Sequence, residues 1–117
     1  MSSGDTRQLI EQAVKHFTDE VPALANLALV IRLQLRTRGD VPTWRVEVPG
    51  PKISKDPAGD ARLDIEIQRE DFNRLAAEGS LKEWRKAYDV GHVNVTGEPA
   101  IVKLLANVVE RQLQRGR

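Results

Sequence analysis

The side chains able to do chemistry are few and far apart. His16 and His92 are the two imidazoles of the chain. An imidazole acts as a general base, or holds a metal, when a carboxylate, a serine or a second ligand stands at motif spacing. His16 falls at the edge of the apolar face of a helical stretch and His92 on the polar side of a short strand, and neither has such a partner. Asp64 and Glu66 stand two apart in an alternating stretch, which puts both carboxylates on one strand face. Such a pair could share acid–base work. Arg32, Arg36, Arg45, Glu47 and Arg62 fall on the corresponding polar faces, however, and cross-strand ion pairs are the expectation. The absence of cysteine excludes a disulfide framework, a thiolate metal site and a cysteine nucleophile. Gly91 and Gly97 flank a strand instead of opening a strand-to-helix turn, so no phosphate loop is read. No catalytic residue, metal ligand or cofactor is assigned, and the chain is not expected to be an enzyme.

Charge narrows the partners. Lys and Arg number 18 and Asp and Glu 17, a formal charge of +1, without the basic excess of a nucleic-acid binder. Arg111, Arg115 and Arg117 cluster at the C-terminal end; a solvated helix end is the plain reading, and attraction to anionic lipid is the functional one. The N-terminal residues lack the basic-then-apolar pattern of a secretory signal, and the apolar stretch 21–31 is interrupted by Pro22 and Asn26. A soluble cytoplasmic protein is the expectation, with residues 1–117 forming one domain.

Periodicity then places the elements. Leu9, Ile10, Ala13, Val14 and Phe17 share one face of a first helix opening near Asp5, with Asp5 and Gln8 spaced as a capping box. A short helical turn is expected over 23–27. The period then changes to two. Leu29, Ile31, Leu33 and Leu35 form one alternating run, Trp44, Val46 and Val48 a second, and Leu63, Ile65 and Ile67 a third, with a short strand around 52–54. Successive alternating runs predict an antiparallel-dominated sheet of about five strands with one wet face. Phe72, Leu75 and Ala76 mark the next helix. Ser80 and Glu83 cap another that carries Leu81, Trp84 and Tyr88, and Val93 and Val95 form a last strand. Pro99 opens a final helix. The order predicts an α+β fold with helices packed on one sheet face.

The final helix has more apolar surface than a sheet alone requires. Ile101, Val102, Leu104, Leu105, Val108, Val109 and Leu113 spread over roughly 180°, where a helix on a sheet needs a stripe of about 100°. A neighbouring helix, a bound apolar ligand or a partner subunit would cover the excess. Trp44, Phe72, Trp84 and Tyr88 point inward by periodicity, as core or as the wall of a pocket.

Residues 87–100, running Ala87-Tyr88-Asp89-Val90-Gly91-His92-Val93-Asn94-Val95-Thr96-Gly97-Glu98-Pro99-Ala100, resemble the end of the sterol carrier protein type 2 domain. That family has an alanine and an aromatic shortly before a glycine, then a short strand of alternating apolar residues, Gly-Asp and an amphipathic final helix. Upstream, the first helix, the strand meander and the entry Gln68-Arg69-Glu70-Asp71 into the Phe72 helix follow the same order, so the resemblance covers about residues 5–115. Glu98 stands where the family more often has Asp.

The resemblance implies a hydrophobic tunnel between sheet and helices holding a sterol, fatty acyl chain or related lipid, in a non-catalytic binding or carrier protein. The candidate lining residues are Trp44, Phe72, Leu75, Trp84, Tyr88, Ile101, Leu105, Val108 and Val109. Transient membrane contact and a homodimer are compatible partners. The alternative is an assembly module of the same fold, using the C-terminal helix as its interface.

Overall fold

A computed structural model describes residues 3–22, 26–48, 50–55 and 59–115. The chain runs α1 (Ser3–Glu20), β1 (Leu29–Arg36), β2 (Thr43–Val48), β3 (Lys52–Ser54), β4 (Leu63–Gln68), α2 (Arg69–Glu78), α3 (Leu81–Asp89), β5 (Val93–Gly97) and α4 (Pro99–Arg115). This is the predicted α+β order. The side chain of Asp5, residues 23–25 within the expected short turn, and Arg117 lie outside the described residues.

The five strands form one sheet in the order β3-β2-β1-β4-β5. The pairs β1–β2, β2–β3 and β4–β5 are antiparallel, and β1–β4 is parallel. Alternation in β1 and β4 argues for antiparallel neighbours, so the parallel pair departs from expectation. Continuous apolar runs belong to parallel strands covered on both faces. Here helices cover only one face, and the alternation survives.

The wet face carries the expected charges. Arg32 meets Asp64 at 3.4 Å, directly across the parallel pair. Arg36 reaches Glu66 on the diagonal at 3.6 Å. Arg32 and Arg45 are direct cross-strand neighbours of like charge. Arg45 is compensated by Glu47 at 3.3 Å and by a two-point contact with Asp60, whose second bond is 2.9 Å long. The Asp60 carboxylate holds the Arg45 guanidinium charged well above its ordinary range, and that guanidinium in turn holds the Asp60 pKa below 3.8. Asp64 and Glu66 are thus ion-pair partners on a solvated face.

Local sequence sets the helix ends. Ser80 Oγ accepts from the Glu83 N–H at 3.4 Å, as the capping spacing predicts. The Glu20 carboxylate accepts from the Leu81 N–H at 3.0 Å, tying the end of α1 to the start of α3. Gly91 leaves α3 with φ +86°, a backbone state that glycine enters without a Cβ penalty. Gly97 has φ +135°, and a Cβ there would lie 2.5 Å from the Arg62 carbonyl oxygen. The turn into α4 therefore requires glycine twice over. Glu98 gives its side chain to Arg62 at 2.8 Å, while its carbonyl accepts from the N–H groups of Ile101 and Val102. Its carboxylate ties the helix start to the residue just before β4.

Candidate functional site

The inner face of the sheet divides into a closed half and an open half. At the closed half Leu35, Trp44 and Leu75 are 0–2% exposed. They belong to one cluster with Ile10 of α1, Ile67 of β4 and Phe72 of α2, which also reach the cavity. At the open half Ile31 and Ile65, on the two central strands, remain only partly buried although they point inward, as do Val48 and Val95. A side chain in the middle of a covered sheet loses its solvent exposure when a helix sits on it. These four face a cavity of about 300 Å³.

Three helices bring aromatics and aliphatics to the cavity wall. Phe17 of α1 meets Trp84 of α3 edge-on, with ring centroids 5.1 Å apart. Phe72 of α2 approaches the same indole at 6.2 Å. Edge-to-face packing of this kind fixes ring orientation. From α1, Ile10, Ala13 and Val14 also reach the lining.

The last wall is α4. Val102, Leu105, Ala106 and Val109 line the cavity at i, i+3, i+4 and i+7. None of the 17 residues of α4 is fully buried. Its aliphatic stripe borders open space instead of core. Exposed Tyr88 and Ala106 belong to the lining and mark the mouth of the cavity between α3 and α4.

No protein-family profile matches the sequence, and no curated protein sequence matches it. Solved structures do match. A sterol carrier protein domain 2 of Helicoverpa armigera superposes with a TM-score of 0.63 at 14% identity, covering 94% of this chain and 87% of that one. Palmitated sterol carrier protein 2 like 2 of Aedes aegypti gives 0.59 at 17% identity, covering 86% and 93%. A ubiquinone synthesis protein gives 0.56 at 13% identity, covering 94% and 88%. The chain has the sterol carrier protein 2 fold.

Within that fold, the cavity gathers five of the nine residues singled out from sequence: Phe72, Trp84, Tyr88, Leu105 and Val109. The other four fall elsewhere. Trp44 and Leu75 belong to the closed half, 2% and 1% exposed, where α1 and α2 are packed down on the sheet. Lys55 Nζ caps the Trp44 ring 4.5 Å from its centroid. Ile101 and Val108 sit on the flank of α4 away from the lining stripe. The apolar arc of α4 is broader than the part that faces the cavity, and periodicity does not tell which half turns inward. Tyr88, read as inward-pointing, is 44% exposed at the mouth.

Other lining residues were assigned to plain packing by sequence. The face of α1 from Ile10 to Phe17 was expected to lie on the sheet, and part of it faces the cavity instead. The signal was present in the inward residues of the alternating strands, but alternation does not separate a residue under a helix from one under a void.

Polar groups at the wall are few. Thr18 donates its hydroxyl to the Lys15 carbonyl at 3.0 Å. Arg85 donates from Nε to Asp89 at 3.1 Å and from Nη1 to Glu110 of α4. Glu110 and then Asp89 hold the Arg85 guanidinium charged above its usual range. No group of three or more metal-binding side chains occurs among the described residues. No described helix is long and apolar enough to cross a membrane.

Proposed function

We propose that this chain is a non-catalytic binding or carrier domain for a long-chain lipid, held in the cavity between the open half of the sheet and α4. The observation that carries the reading is the partial burial of Ile31 and Ile65, inward-facing on the two central strands. A close-packed core leaves few voids larger than a water. The inward side chains around this open-mouthed cavity keep apolar surface that an apolar occupant would take out of water.

At about 30 Å³ for a water-sized group, the cavity takes roughly ten methylenes. Burying them at about 0.8 kcal/mol each gives about 8 kcal/mol, equivalent to micromolar affinity before the costs of association. Phe72, Trp84, Tyr88, Leu105 and Val109 are the proposed contacts from the sequence reading, joined by Phe17 and Val102. The palmitated Aedes aegypti domain of the same fold supports a lipid as the ligand class. The outward flank of α4, with Leu104 40% exposed and Arg111 and Arg115 near its end, suits brief contact with a bilayer during loading.

Mass spectrometry of the organic extract of the purified protein, with titration of the delipidated chain by the uncharged dye Nile red, tests the reading. A lipid at near one-to-one stoichiometry and saturable dye binding are expected. A lipid-free obligate dimer that does not bind the dye would instead favour the assembly module.

A further inference from the structure

The cavity wall has an asymmetry of charge that bears on the head group. Arg85 is the one charged residue in the lining among the described residues. Its guanidinium is engaged by two carboxylates, Asp89 one turn along α3 and Glu110 across on α4, neither of which lines the cavity. Arginine commonly lays its methylene stem along apolar surface while its head pairs at the rim. One cation against two anions leaves this corner of the mouth with a net negative charge. The Thr18 hydroxyl is committed to the Lys15 carbonyl. The Tyr88 hydroxyl, at the exposed mouth, makes no hydrogen bond to any described residue. The wall therefore offers no unpaired cation, and of its two neutral donors without a hydrogen bond to a described residue, the Tyr88 hydroxyl and the Trp84 indole N–H, the Tyr88 hydroxyl is the one at the exposed mouth.

A carboxylate drawn to the wall would meet Asp89 and Glu110 together with an arginine whose single charge those two already outnumber. At this exposed mouth the head keeps much of its water, and the two like charges beside it are what disfavour a carboxylate. A hydroxyl or carbonyl loses little and can pair with the phenol of Tyr88. We propose that the cavity selects an uncharged long-chain lipid, such as an alcohol, over one ending in a carboxylate, and that Tyr88 is the residue that meets the neutral head. This rests on the lipid-binding reading above and names the ligand class for the same site.

The test is displacement of Nile red from the delipidated protein at neutral pH by dodecanol and by dodecanoate, both delivered from cyclodextrin. Dodecanol is expected to bind at least about tenfold more tightly. Tyr88→Phe should weaken dodecanol about fivefold and leave dodecanoate unchanged. The paired change Asp89→Asn with Glu110→Gln frees the Arg85 charge and should strengthen dodecanoate about tenfold while leaving dodecanol in place. Both positions are about half exposed, and an unchanged thermal melt confirms folding. Dodecanoate binding as tightly as dodecanol to the wild type overturns the head-group selection and leaves the lipid reading standing. Dye binding that neither compound displaces overturns both.

Discussion

Val109 faces the cavity from the second half of α4 and is half-buried. Replacing it with tryptophan adds on the order of 100 Å³ of side chain, about a third of the 300 Å³ available. That displaces roughly three of the ten methylenes the cavity can take. At about 0.8 kcal/mol per methylene the loss is about 2.5 kcal/mol, or roughly fiftyfold to a hundredfold in affinity. Stability should move the other way. Filling an apolar void recovers at most about 24 cal/mol per Å³, here up to about 2 kcal/mol. Val109→Trp should therefore bind Nile red and dodecanol far more weakly than wild type, with a urea midpoint equal or higher. Overpacking a close-packed core destabilises by about 1–3 kcal/mol instead. If the variant keeps its ligand and its midpoint falls by that amount, Val109 is ordinary core and the cavity has no functional standing.

Three further outcomes follow from the fold. Leu75, 1% exposed in the closed half, should lose about 2–5 kcal/mol on change to Ala; Phe17→Ala, at a half-buried cavity position, should lose less, as compared by urea unfolding of the two variants. Gly97→Ala places a Cβ 2.5 Å from the Arg62 carbonyl at φ +135°, so a melting temperature lower by several degrees is expected, and an unchanged melt would show that the turn can rebuild. Asp60 has its folded pKa lowered by Arg45 below 3.8, so its contribution is in place above about pH 4. It is lost as pH falls through the lowered value. Asp60→Asn should accordingly be less stable than wild type at pH 7, with the gap closing as the pH falls below the ordinary aspartate range; a constant gap across the acid range would assign the loss to packing.

The elements were legible in the sequence because the period changes cleanly. Leu9 to Phe17 read at 3.6, Leu29 to Ile67 read at 2, and the Ser80–Glu83 cap appears where the spacing places it. The wet sheet face was legible for the same reason, down to the ion pairs of Arg32 and Arg36. Strand direction was not. Alternation reports which face is covered, and β1 and β4 alternate as a parallel pair because the second face stays wet. The site was legible only by half. Leu105 and Val109 line the cavity while Ile101 and Val108 do not, since an apolar arc of roughly 180° has no marker for the direction of the void. Trp44 and Leu75 have the same inward phase as true lining residues, and only the docking of α1 and α2 over one end of the sheet separates them.

That uneven docking explains α4 as well. A long amphipathic helix normally owes its place to burial of its apolar face against protein. Here 17 residues include none fully buried. The ion pairs that join α4 and the turn before it to the body, Glu110 with Arg85 and Glu98 with Arg62, involve side chains 35–51% exposed, and exposed pairs contribute about 0–1 kcal/mol each. They set the position of the helix and supply little of its energy. The remainder comes from the half-buried aliphatics Ile101, Val102, Leu105, Val108, Val109 and Leu113, and of these Val102, Leu105 and Val109 face the cavity. An apolar occupant gives these three the surface that the sheet does not. Ligand and helix are then stabilised by the same contacts, and a ligand held at a hundred times its dissociation constant adds about 2.7 kcal/mol to the folded state.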